Sequence, residues 1–136
     1  MNTIPSPLPK TTDAWIEHDI KRVGADKAPR VTPADIEANI ASEHYFTAGQ
    51  AFYGAMYLDR GLPDMSHLQT GSPLSLLTFC VLVLRNGFTV TGESACASPE
   101  NFNAEIGKKI ARENAVQKIW PLMGYALRSE LSKTGE

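Results

Sequence analysis

The chain lacks the features that announce most functions. No apolar run approaches the ~20 residues that span a bilayer, so nothing in it reads as a membrane segment. The start, MNTIPSPLPK, has no apolar stretch before a small-residue cleavage site, so no secretory leader is expected. Two cysteines cannot build a disulfide framework. A net charge of -2 gives no basic footprint for coating nucleic acid. There is no phosphate loop, no dinucleotide fingerprint, no His/Cys/Asp/Glu cluster at metal-ligand spacing, no repeat and no low-complexity tract. What is present, 136 residues of which 43% are hydrophobic, supports one small soluble domain with a modest core.

Residues 1–30 read as an N-terminal arm. Pro5, Pro7, Pro9 and Pro29 break it up, and TDAWIEHDIKRVG between them carries an apolar stripe of Trp15, Ile16 and Ile20, suited to docking on the body or on a neighbouring subunit. Residues 31–136 read as a single α+β domain. Thr32-Pro33-Ala34-Asp35 starts a helix: Thr32 caps, Pro33 fits the first helical position and Asp35 meets the positive end of the dipole. The spacing of Ile36 and Ile40 extends this helix through Phe46. Residues 47–73 read as an irregular connection holding a short helix near Phe52–Leu58.

LSLLTFCVLVL (Leu74–Leu84) is a strand, Asn86-Gly87 a two-residue turn whose members both tolerate positive φ, and FTVTGES the return strand. That loop sets Arg85 opposite Phe88, Val83 opposite Val90 and Val81 opposite Gly92. Phe79, Val81, Val83, Phe88 and Val90 then share one face, and Cys80, Leu82 and Leu84 share the other with Thr89, Thr91 and Glu93. The first strand is apolar on both faces. A lone ribbon is marginal in water, so helices cover one face and a second subunit is the natural cover for the other. Ser98-Pro99-Glu100 opens a helix running to about Ile119, with Phe102, Ile106 and Ile110 buried and Lys108 and Arg112 as a basic edge. Pro121 ends or kinks it, and LMGYALRSELS makes a last short helix with Tyr125 packed back.

Gly92-Glu93-Ser94-Ala95-Cys96 nearly spells the elbow of a catalytic serine. The final glycine is replaced by cysteine, all three histidines precede Ser94, and the chain is too short for that fold. Cys96 has no activating neighbour in sequence, and in the register above it lies on the hairpin face opposite Cys80. No enzyme is expected. An anion site is: the Glu100, Asn101 and Phe102 amides begin a helix, Asn101 adds a side-chain amide, Arg85, Lys108 and Arg112 add charge, and Phe88 offers a ring for stacking. Each of these residues also has an ordinary use, as core, turn or solvated surface.

The segments RVTPADIEANIASEHYFTA and LTFCVLVLRNGFTVTGESACASPENFNAEIGKKIARENAVQKIWPLMGY resemble a family of small tailed-phage accessory proteins. The pattern is a cysteine-bearing strand, NGF, GESAC, a Pro-Glu-Asn-Phe helix start, Ile-Gly-basic-Lys, Glu-Asn-Ala and Trp-x-Leu-x-Gly-Tyr. It covers about half the chain, and Met123 stands where the pattern more often has glutamate. The family is in turn similar to the phage Thoeris anti-defence proteins, non-enzymatic sponges that sequester a cyclic ADP-ribose isomer made as an alarm by a bacterial TIR enzyme. Some of those also hold cyclic oligonucleotides at a separate site, and they assemble from dimers into hexamers. The resemblance implies a cyclic nucleotide ligand, a homo-oligomer, no cofactor and a place in the host cytoplasm. It matches Phe88 to the ring under the base and makes Ser98 a polar contact to it; Asn101, Lys108, Arg112 and Arg85 follow from charge and spacing. A protein-interaction module, gripping a host or virion partner with the two-sided strand and the aromatic segment 44–57, is the competing reading.

Overall fold

The computed structural model describes residues 12–61, 65–69 and 71–135. The expected prolines Pro5, Pro7 and Pro9 lie outside them. The elements are α1 (Thr12–Val23), α2 (Pro33–Ala38), β1 (Ile40–Thr47), α3 (Ala48–Arg60), β2 (Leu77–Leu84), β3 (Thr89–Ala95) and α4 (Ala104–Lys133), with 3-10 turns at Ser66–Leu68, Pro73–Leu76 and Pro99–Asn101. The three strands form an antiparallel sheet in the order β1-β2-β3, an α+β arrangement with α4 laid across one face.

α2 begins as its sequence requires. The Thr32 hydroxyl accepts the Asp35 N–H and the Asp35 carboxylate accepts the Thr32 N–H, a reciprocal capping box. It ends far sooner than the Ile36/Ile40 spacing indicates: Asn39 closes it, and Ile40–Thr47 is a strand. That spacing fits a helix, but pairing with the apolar β2 recruits the segment into the sheet, a tertiary gain that local propensity does not register. Thr47 then caps α3 in a second box with Gln50, so much of the expected irregular connection is a 13-residue helix that closes on Gly61 at φ 70°.

The hairpin corrects the expected register by one residue. Leu84 accepts the Gly87 N–H and donates its own N–H to the Phe88 carbonyl, so the loop is the three residues Arg85, Asn86 and Gly87. Only Gly87 takes positive φ, 88°. Val83 therefore faces Thr89, Leu82 faces Val90 and Cys80 faces Gly92. A one-residue slip turns every side chain of the return strand over. Val90 and Gly92 join Cys80, Leu82 and Leu84 beneath α4, and Thr89, Thr91 and Glu93 join Phe79, Val81 and Val83 on the other face. The two cysteines are free. In this register they point the same way, and their separation along the strands keeps them apart.

α4 starts at an Asn103 cap, whose side chain accepts the Ile106 N–H, and not at Pro99. It passes through Pro121 unbroken for 30 residues. Pro121 and Gln117 both lie on the exposed side, where solvent takes the carbonyl that the proline ring leaves without a donor. Its buried stripe is Ala111, Ala115, Val116 and Ile119; Ile106 and Ile110 are 56% and 46% exposed and Tyr125 is 77% exposed, against expectation. Close approach decides this phase. A Cβ at Gly92 would stand 2.1 Å from the Ala111 carbonyl oxygen, so the helix lies on the sheet with only alanines between. The core gathers Ile36, Ile40, Leu82, Leu84, Val90 and Ile119 around that seam.

Candidate ligand surface at the hairpin tip

The β2–β3 turn holds its residues by its own hydrogen bonds. The Asn86 side-chain oxygen accepts the Phe88 N–H at 2.9 Å. The Arg85 N–H donates to the Asn39 carbonyl and side-chain oxygens, and Arg85 Nε donates to the Ala38 carbonyl at 3.1 Å. These contacts tie the tip to the end of α2. Phe88 is left 56% exposed. Arg85 has no carboxylate partner among the described residues, and it lines a groove of about 540 Å³ together with the apolar Val31, Met123 and Leu127 and the charged Arg30, Asp35 and Glu130.

The other expected contacts lie elsewhere. Ser98, Asn101 and Lys108 sit at the opposite end of the sheet, where β3 runs out and α4 begins. Eight residues of β2, roughly 25 Å at ~3.3 Å each, separate the two ends. Ser98 makes no side-chain cap, and its carbonyl accepts the Asn101 N–H and the Cys96 thiol. The Phe102 N–H donates to the Pro99 carbonyl, so two of the three amides expected to be free are engaged. Lys108 pairs with Glu105 at 3.7 Å.

Arg112 stands between the two ends and is committed to the fold. Its guanidinium bonds the Glu37 carboxylate at 3.1 and 2.7 Å and the Glu43 carboxylate at 3.0 to 3.2 Å, joining α4 to α2 and β1. These bonds push the arginine further up and, with the Tyr45 hydroxyl, hold Glu43 below the usual carboxylate range. Burial, and then Glu43, drives the Tyr45 phenol up. An anion at Arg112 would have to displace a carboxylate. The fold thus splits the expected ligand residues into Arg85 and Phe88 at the hairpin tip, Ser98, Asn101 and Lys108 at the other end of the sheet, and Arg112 between them. The groove beside the tip was missed because its lining comes from α2, the α1–α2 connection and the second half of α4, and no local spacing links those segments.

Ser94 faces α4 on β3, opposite Thr78, whereas His44 lies on the other face of the sheet bonded to Ser42. Among the described residues no group of three or more His, Cys, Asp and Glu is placed to hold a metal ion, and no helix is long and apolar enough to cross a membrane.

The model of a family described as Phage protein (N4 Gp49/phage Sf6 gene 66) matches residues 31–131, from the entry of α2 almost to the end of α4. The chain belongs to this phage protein family. No curated protein and no solved structure matches it. The family match takes in the hairpin tip and its groove, and leaves α1 of the phage protein outside.

Proposed function

We propose that this phage protein is a non-enzymatic sponge for cyclic nucleotide immune signals in the host cytoplasm, cyclic ADP-ribose isomers first and cyclic oligonucleotides second, working as a homo-oligomer built from dimers. The observation that carries the reading is the hairpin tip: an exposed Phe88 ring three residues from an Arg85 with no carboxylate partner among the described residues, beside an open groove. The ring stacks on a base, and the guanidinium makes charge-assisted bonds to a phosphate. This moves the ligand from the start of the last helix, with Ser98, Asn101, Lys108 and Arg112, to the tip, where no ion pair among the described residues must first be broken and Arg85 is engaged only through the Nε bond to the Ala38 carbonyl and its backbone N–H. The motif resemblance to the Thoeris anti-defence proteins supplies the ligand class.

Calorimetry with cyclic ADP-ribose isomers and cyclic di- and trinucleotides tests it. Wild type should bind at least one of them tightly and return it chemically unchanged. Phe88→Ala and Arg85→Ala should each weaken binding roughly ten- to hundredfold, at about 1.4 kcal/mol per tenfold, and Lys108→Ala should not. Turnover of the ligand would sink the sponge and revive an enzyme; no binding at tens of micromolar would sink the ligand class.

One observation favours a protein partner instead. α3 leaves Tyr57 57% and Leu58 87% exposed. If wild type binds none of the nucleotides and Leu58→Asp abolishes capture of a host or virion protein, the interaction-module reading replaces the sponge.

A further inference from the structure

Two apolar surfaces of this chain lie apart from each other, each without sufficient cover. The first is α1. None of its 12 residues is buried; Trp15, Ile16 and Val23 are 44%, 53% and 64% exposed. A helix of that length is marginal alone in water, so it needs a packed face. An ion pair, Arg30 to Glu17 at 2.6 and 2.7 Å, fastens it beside the half-buried Ala14 and Ile20, and the stripe of Ile16 and Ile20 borders an unfilled gap of about 270 Å³.

The second is the open face of the sheet. Phe46, Phe79, Val81 and Val83 make a central apolar ridge, with the Phe46 and Phe79 rings stacked at 5.7 Å. The margins are polar: Ser42 and His44 on β1, and Thr89, Thr91 and Glu93 on β3. A narrow ridge between polar margins suits one amphipathic helix better than a second broad sheet.

We propose that α1 of one copy packs on the open sheet face of a second copy, and that a pair of chains exchanges arms in this way. The dimensions agree. Phe79 to Val83 spans roughly 13 Å at ~3.3 Å per residue, and Ile16 to Val23 roughly 11 Å at ~1.5 Å per residue. One charge agrees too: Lys21, on the flank of α1 away from the Asp19–Arg22 pair, meets Glu93 on the β3 margin. The arm's own sheet is out of place as a receptor. α1 lies on the α4 side, against Gln117 and Trp120, and its connection is pinned where Val31 joins the core, so it would have to round the β1 edge to reach its own open face. A second copy presents that face directly, and two-fold symmetry makes the contact reciprocal. Leaving the first site breaks the part-buried, bidentate Arg30–Glu17 pair and uncovers the half-buried Ala14 and Ile20, a cost that burial of the whole Ile16/Ile20 stripe on the second copy must offset. The inference specifies how the dimer of the proposed oligomer is built and is independent of the ligand.

Cross-linking between full-length copies decides it, in a Cys96→Ser background. One copy carries Ile20→Cys and the other Val81→Cys; they are mixed, oxidised and run without reductant. A disulfide joining the two different copies is expected, and a Lys118→Cys copy should not join to Val81→Cys. Light scattering should give an even multiple of the 14.8 kDa chain. Ile16→Asp with Ile20→Asp should raise the dimer dissociation constant at least tenfold, with an unchanged circular dichroism spectrum. An oligomer that keeps its mass in that variant, with no mixed disulfide, overturns arm exchange and leaves the oligomer standing. A wild-type monomer at micromolar concentration overturns both. Should the double variant fail to fold, the cross-link alone decides. A disulfide formed within a single chain carrying both cysteines, and not between copies, shows the arm on its own sheet and overturns the exchange.

Discussion

The two faces of β2 alternate along one strand and differ in what they ask of their neighbours. Cys80, Leu82 and Leu84 are 0–4% exposed beneath α4, in contact with a seam of alanines so close that β3 must present Gly92 there. Phe79, Val81 and Val83 are as apolar but only half buried, beside threonines and His44. Hydrophobicity is the same on both sides; steric fit exists on one. The covered face is where this chain spends its packing precision, and the open face leaves equally apolar side chains half-buried.

The sharpest way to break this comparison is to truncate adjacent residues. Leu82→Ala should cost about 2–5 kcal/mol in chemical denaturation, the range for a fully buried leucine. Val81→Ala, one residue away, should cost under about 1 kcal/mol at chain concentrations too low for association, and more as concentration rises. Equal costs at low concentration would mean the two faces are covered alike.

Adding a methyl group tests the fit itself. Gly92→Ala should destabilise by about 1–3 kcal/mol or more, because its Cβ meets α4 backbone that cannot move alone. Gly124→Ala, later on α4 with nothing within 4 Å, should instead stabilise by about 0.5–1 kcal/mol through helix propensity. Melting curves of the two variants should shift in opposite directions.

The smallest effect concerns the polar edge of the covered face. Arg112→Met should cost about 1 kcal/mol at neutral pH, since Glu37 and Glu43 are partly solvated and can rehydrate. The gap between wild type and variant should depend on acid. Glu43 is held below its ordinary value of about 4.5, so its contribution is whole above that pH and is lost as pH falls through the lower folded value. The gap should therefore shrink below about pH 4.5. A gap that stays constant into acid would mean Arg112 acts through packing and not through Glu43.

Local chemistry was legible where a few adjacent residues suffice. The Thr32 cap, the glycine of the hairpin turn, a helix after the hairpin and a strand apolar on both faces are all present. The Thr47-to-Gln50 box shows that α3 was legible too, had the same cap signature been sought there. The ligand set was not. Charge and spacing grouped Ser98, Asn101, Lys108 and Arg112 with Phe88, but nearness along the chain places residues together only within one element. β2 separates Ser98, Asn101 and Lys108 from Phe88 by its full length, and Arg112 was already claimed by two carboxylates from α2 and β1, 75 and 69 residues away in sequence.

By itself, then, the sequence determined membership in a phage protein family, the α+β class and the sites where elements begin, because caps, turns and alternation act over a few residues. The tertiary structure alone decided the hairpin register, the conversion of Ile40–Thr47 from helix to strand and the burial of Ala111 and Ala115 in place of Ile106 and Ile110 on α4. Each of those is an outcome of close packing between segments far apart in the chain. Whether two surfaces can approach to contact is a property of the pair, written in neither segment alone.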